Sequence, residues 1–168
     1  MLRKLSTHMK KTIEATYYSQ SKKWPRRLPK IRLIGKKVIR IMKNYFNNNS
    51  EFNLNIILSD KKKIKELNKK YKKKYKDTDV LTFVSQISNK YVGKILYCDI
   101  FFSIETIESF IKNKNISLYD HFTHLLVHSL LHINGYKHKN LNEFKKMKKQ
   151  EIKILKQLSI EDPYKIDV

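Results

Sequence analysis

Cysteine, glycine, proline, acidic residues and long apolar runs are all scarce in this chain, and each shortage excludes something. The one cysteine among 168 residues, Cys98, allows no intrachain disulfide and suits a reducing compartment. No apolar run approaches the roughly 18 residues that span a bilayer, so no transmembrane helix is expected. The first ten residues, Met1 to Lys10, lack the apolar core of a secretory signal. Their basic, acid-poor composition slightly resembles an organellar transit peptide, but a cytoplasmic location is the expectation. Three glycines and three prolines leave few breaks in the chain.

Acids number 15 against 37 Lys and Arg, a net charge of +22, and lysine supplies 32 of those cations. Such a field favours polyanions: RNA, DNA, ribosomes or anionic membranes. The blander source is biased genome composition, in a chain also rich in Asn and Ile with few Gly and Pro; either cause leaves the same attraction to phosphate. Hydrophobic residues make up 40% of the sequence. Length and composition together suit one globular domain spanning residues 1–168, with residues 1–11 as a flexible basic arm.

The chemistry concentrates in His128-Ser-Leu-Leu-His132-Ile-Asn-Gly135-Tyr-Lys-His138. His128 and His132 are about one helical turn apart, so their imidazoles share a face. Their neighbours Phe122, Leu125, Leu126, Val127, Leu130, Leu131 and Ile133 are apolar, as in a helix buried in the core. Gly135 offers a helix stop in the left-handed conformation. The turn it makes can swing His138 back over the first two rings. Three neutral imidazoles converging in this way form a metal site with an open position. A lone histidine on an apolar face is usually a packed residue; three at this spacing around a glycine are much harder to reach by chance. One class of zinc proteases shares the spacing but places a glutamate general base directly after the first histidine. Ser129 stands there, which argues against peptide hydrolysis. His124, one turn before His128, reads as a supporting or packing residue, and His121 and His8 as surface residues.

Elsewhere the pattern alternates between strand and helix. Thr12–Ser19 reads as an edge strand and Ser21–Lys30, with Pro25 and Pro29, as a loop whose Trp24 caps the core. Ile34, Val38, Ile41, Met42 and Tyr45 make one helical stripe. Phe52, Leu54, Ile56 and Leu58 alternate with polar residues as a half-buried strand. Asp60 caps a helix whose core face is Ile64, Leu67, Tyr71 and Tyr75 and whose other faces are crowded with lysines. Val80–Val84 and Tyr91–Phe102 form an antiparallel hairpin, with Gly93 as a bulge. Asp99 interrupts the second strand, either facing solvent or a cation, or supporting the histidines. Ser103 caps a short helix, and Ser117 with Asp120 opens the histidine helix. A final helix from Asn142 to Leu158 turns Phe144, Met147, Ile154, Leu155 and Leu158 inward. The expected fold is α+β: a small mixed four-stranded sheet covered by about five helices, with the metal site on a buried central helix and the loop after it.

The histidine motif resembles the H-G-x-L-H-L-x-G-Y-D-H signature of the YbeY-type bacterial endoribonucleases, the rRNA maturation factor family. Asn68-Lys-Lys-Tyr71-Lys72 followed by Asp77-Thr-Asp79-Val-Leu-Thr-Phe83 is similar to that family's N-x-x-Y-R and T-D-V-L-S-F segments, and Cys98-Asp99-Ile100 to its G-D-I strand. Glu161-Asp-Pro-Tyr164 also resembles a family ending. The resemblance covers roughly residues 50–164, the family-like core, in matching order and spacing. It implies a zinc-dependent, single-strand-specific endoribonuclease acting in small-subunit rRNA 3′-end maturation and ribosome quality control. One Zn2+ would be held by His128, His132 and His138, and these with Lys72 would be the catalytic residues. The partners implied are RNA, as rRNA precursor, and the ribosome or its small subunit, with no membrane and no nucleotide cofactor. The chain departs from the pattern at Lys72 for arginine, Ser129 and Cys98 for glycine, Lys137 for aspartate and Val84 for proline. Lysine keeps the charge of arginine but loses the bidentate grip on phosphate. The alternative expectation is therefore a ribosome-associated RNA-binding factor in which zinc is structural and turnover negligible. The sequence leaves open whether a water or the RNA 2′-hydroxyl attacks.

Overall fold

The computed structural model describes residues 12–46, 50–90 and 93–165; the expected basic arm over 1–11, His8 included, lies outside them. The described chain runs β1 (Thr12–Ser19), α1 (Lys23–Arg27), α2 (Ile31–Met42), β2 (Ser50–Ser59), α3 (Lys61–Lys72), β3 (Val80–Asn89), β4 (Gly93–Ser103), α4 (Ile104–Ile111), α5 (Leu118–Ile133) and α6 (Leu141–Gln157). The fold is α+β, as expected, with a mixed four-stranded sheet and six helices rather than five. The strand order is β1-β2-β4-β3. β2 pairs in parallel with β1 and β4, while β3 returns antiparallel along β4 at the sheet edge. The parallel β1–β2 pair requires a crossover, which α1 and α2 supply.

Alternation decides which sheet face is the core. Phe52, Leu54, Ile56 and Leu58 on β2, and Leu96, Cys98, Ile100 and Phe102 on β4, are all buried in one cluster. α2, α5 and α6 contribute Val38, Met42, Leu126, Leu130, Leu131, Ile154 and Leu155 to that cluster. α5 touches α2, α4, α6 and β3. It is therefore apolar nearly all round, and only one stripe of its surface is left for chemistry.

Local rules set the ends of these helices. The Asp60 carboxylate accepts from Lys63 N at 2.8 Å, Ser103 Oγ from Thr106 N at 3.3 Å, and Ser117 Oγ from Asp120 N at 3.0 Å. Four expectations need correction. The 21–30 segment is not all loop, because Lys23–Arg27 forms a helical turn and a half. Burial of Trp24 drives this: its ring is 0% exposed, meets Phe102 and Phe122 edge-on, and donates Nε1–H to Ser59 O at 2.8 Å. Tyr71 and Tyr75 are exposed rather than in the core: Tyr71, on the last turn of α3, lies edge-on against Phe83 on the face of the sheet away from the core, and Tyr75 follows the helix; Ile64 and Asn68 are buried instead. Phe144 is likewise exposed, packing edge-on against Tyr164. Gly93 is no bulge: it pairs with Asn89 at the hairpin turn with φ of +83°, which suits glycine.

Candidate metal centre

α5 delivers His128 and His132 to one face, and the end of the helix delivers His138. Gly135 adopts φ of +92° just past the helix. Gly135 N donates to His132 O at 2.9 Å and Tyr136 N to Leu131 O at 3.0 Å. These are the paired bonds of a Schellman stop. Downstream, Asn140 caps α6 through Glu143 N at 2.9 Å, and Glu143 reaches back to Lys139 N at 2.9 Å. The short loop is thus clamped at both ends, and His138 folds back over the helix. His132 Nε2 lies 3.0 Å from His128 Nε2 and 3.1 Å from His138 Nε2.

The partners of the other ring nitrogens decide what this closeness means. His128 Nδ1 lies 2.6 Å from Glu151 Oε1, and His132 Nδ1 lies 2.9 Å from Tyr136 O. A carbonyl can only accept. Burial works against the charge of Glu151, but the His124 and His128 rings and the Tyr164 hydroxyl outweigh it and hold the carboxyl down to about 2. That carboxylate also can only accept. Both histidines therefore donate through Nδ1, and both Nε2 lone pairs point at the shared centre. Two bare lone pairs 3.0 Å apart repel unless a cation sits between them. Tetrahedral ligation at about 2.0–2.1 Å would place the nitrogens about 3.3 Å apart, close to the spacings present. Burial, then the neighbouring His128, lowers the pKa of His132 and so favours its neutral, ligating form. The donor set thus fits a divalent ion of zinc type, and imidazole suits nickel and copper as well.

Glu151 is the functional residue that sequence reasoning missed. Fully buried on α6, it accepts from His128 and from the Tyr164 hydroxyl. His124 Nε2 lies 3.5 Å from Glu151 Oε2, near enough for attraction but not aligned as a hydrogen bond. The His124 ring packs edge-on against His128 and Tyr164. Burial and the adjacent carboxylate push the Tyr164 hydroxyl far above its ordinary value, so it stays a donor. The available signal was the position of Glu151 four residues after Met147 and three before Ile154, on the apolar stripe of α6. Among the basic and apolar residues around it, an acid on that stripe asks for a partner.

The other expected residues fall elsewhere. Lys72 ends α3 and is solvent-exposed. Among the described residues no hydrogen bond or ion pair joins it to the histidines. Partial desolvation, then Lys74, lowers its pKa. Asp99 does not support the histidines: it accepts from Asn55 Nδ2 at 2.8 Å and shares a shallow pocket with Tyr71, Phe83 and Tyr97. Strand alternation is the reason, since Cys98 and Ile100 point into the core and Asp99 points out of the opposite face. His121 is buried rather than on the surface. It stacks on Phe110 at 4.3 Å, and its Nε2 lies 3.3 Å from Asp79 Oδ2. Ser129 is fully buried and its hydroxyl has no partner among the described residues, so no general base stands in the protease position.

The chain as a whole is similar to known proteins. The family model for endoribonuclease YbeY matches residues 17–159. A Buchnera aphidicola (Cinara cedri) protein named Endoribonuclease YbeY is 38% identical over 130 residues, covering 73% of this chain and 80% of its own. A Francisella tularensis protein of the same name is 34% identical over 123 residues, covering 68% and 72%. A Thermotoga maritima protein solved in solution superposes with a TM-score of 0.55 at 21% identity, over 87% of this chain and 92% of its own, which is a likeness of fold. With the family model spanning most of the chain, including every residue of the histidine motif, this protein belongs to the endoribonuclease YbeY family.

Proposed function

We propose that this protein is a zinc-dependent endoribonuclease that cuts single-stranded RNA, acting on the 3′ end of small-subunit rRNA precursor and in ribosome quality control. The observation that carries this reading is the convergence of three Nε2 atoms with two Nδ1 protons held by Glu151 and Tyr136 O. Together with family membership, it supports RNA cleavage at a metal centre. Bound there, zinc would supply a Lewis acid and a means of acidifying water at neutral pH.

The chain's own residues do the rest. Glu151 fixes the ring plane and tautomer of His128, and the Tyr136 carbonyl does the same for His132. Tyr164 donates to the second oxygen of Glu151 and keeps that carboxylate aimed. Exposed lysines of α3 and α6 draw RNA phosphates to the molecule. Lys72 adds a cation at the end of α3 to this field and is assigned to transition-state charge. No helix of the described residues is long and apolar enough to cross a membrane, in keeping with a cytoplasmic place beside the ribosome.

The test is metal content and RNA cleavage together. Purified protein is expected to hold about one zinc per chain and to cut single-stranded RNA, and His132→Ala is expected to lose both. Cleavage retained in full by the variant would sink the reading. The exposed position of Lys72, untied to the histidines and lacking the fork of an arginine, favours a second reading, an RNA-binding factor with a structural metal. Lys72→Arg separates the two: a rise in cleavage supports the enzyme, whereas persistent rRNA binding without cleavage in either form supports the factor.

A further inference from the structure

Beside the metal centre, where the first turns of α5 meet the 159–164 segment, lies a cavity of about 420 Å³. That is within the size range of small-molecule sites. Phe110, His121, His124 and Tyr164 give it aromatic and imidazole walls, and Asp120 and Glu161 give it carboxylates. The Phe110 and His121 rings are stacked. His124 and His128 are neighbours, with ring centroids 6.4 Å apart, and His124 lies 5.8 Å from Tyr164. One wall of the cavity, His124, is therefore the direct neighbour of His128 of the metal centre.

Its chemistry departs from that of the surface around it. In a chain with 37 cations and 15 acids, neither Asp120 nor Glu161 has a side-chain hydrogen bond or ion pair among the described residues. A phosphate would be repelled by that pair. A flat group that presents N–H donors along one edge would be stacked and satisfied. Lys114 and Lys148 lie over the Phe110 and Tyr164 rings, at 4.1 and 4.4 Å, where flanking phosphates would pass. Unstacked bases of single-stranded RNA are read in this manner, by aromatic stacking and edge hydrogen bonds. Guanine alone among the four bases offers two adjacent donors, N1–H and the N2 amino group, which match the two oxygens of a carboxylate.

We propose that this cavity binds a guanine base of the RNA strand, next to the phosphate at the metal centre. The proposal rests on the endoribonuclease reading for its substrate, but its test does not depend on turnover. The probe is a fluorescent uridine octamer, 2′-O-methylated so that it cannot be cut through its 2′-hydroxyl, carrying either one guanosine or one inosine, which lacks the N2 amino group. Anisotropy titration of the zinc-loaded full chain should show the guanosine octamer bound about tenfold more tightly, the worth of one hydrogen bond to a charged acceptor. In Asp120→Asn/Glu161→Gln the ratio should fall to about one. Ile116→Trp, which fills the cavity while leaving both acids in the sequence, should abolish it too. Equal affinity of the wild type for both octamers overturns the proposal, as does a guanosine preference that survives both variants; the acids would then await a basic side chain of a protein partner. Cleavage is read separately on the unmodified octamers. A guanosine preference without cleavage would refute the endoribonuclease reading and leave the pocket standing.

Discussion

Replacing Glu151 by glutamine tests whether the buried carboxylate orients the metal centre. The amide has nearly the same volume, so the core need not collapse. It removes the charge that accepts from His128 Nδ1 at 2.6 Å and from the Tyr164 hydroxyl. A charge-assisted bond is roughly twice as strong as a neutral one. Loss of such an outer partner typically costs about 10–100-fold in metal affinity, or about 1.4–2.8 kcal/mol. At a fixed excess of zinc the stabilisation conferred by the metal falls by that same amount. For a domain of this size, about 2–4 °C per kcal/mol implies a holo-protein melting roughly 3–11 °C lower. The assay is competitive zinc titration against a chromophoric chelator, with melting curves of the metal-free and zinc-loaded forms in parallel. The expected signature is a gap between those two curves that narrows in Glu151→Gln. Zinc affinity within twofold of wild type would refute the reasoning, because Glu151 would then be a buried packing acid with no hold on the ligand. A drop confined to the metal-free form would refute it equally.

Three further outcomes follow from the same geometry. Zinc retention should fall as pH passes below the pKa of His132, which burial and then His128 hold under the ordinary 6.5, because protons then compete with the metal for its Nε2; chelator competition run downward from about pH 8 should show it, and a loss centred above 6.5 would contradict it. The sign is that of a depressed group: neutral His132 is favoured above the ordinary value of 6.5, and what it contributes is lost as pH falls through the lowered value. Gly135→Ala meets no steric clash but must hold φ of +92°, so it should cost about 1–2 kcal/mol in denaturant unfolding and weaken zinc binding by displacing His138; an unchanged zinc affinity would mean that the loop finds another stop. Trp24→Ala should destabilise the protein by about 3–5 kcal/mol, since its ring fills the core against Phe102 and Phe122; a loss under 1 kcal/mol would show that the α1 turn docks independently of that ring.

Much of this molecule is written in local sequence. The period-2 run Phe52–Leu58, the caps Asp60, Ser103 and Ser117, and the one-turn spacing of His128 and His132 each depend on residues a few positions apart. Local geometry reads them directly, and all appear where the pattern placed them. Gly135 belongs to the same group, because a left-handed residue after an apolar helix has one common use. What these local signals could not decide was which residues from distant segments would meet. Glu151 lies 23 residues from His128 and Tyr164 lies 13 from Glu151. Their meeting depends on α6 packing along α5, a matter of side-chain fit across the core. His121 looked like a surface residue until the 77–79 segment brought Asp79 to it. Tyr71 continued an apolar stripe on paper, yet it meets Phe83 on the open face of the sheet and stays exposed. Asp99 could have faced either way until sheet register turned it from the metal. The sequence by itself determined the histidine triad and the elements that present it, because helix pitch and glycine conformation are properties of short segments. Only the tertiary structure decided which acid holds the triad and which cavity stands beside it, because those depend on burial, and burial belongs to the packed whole.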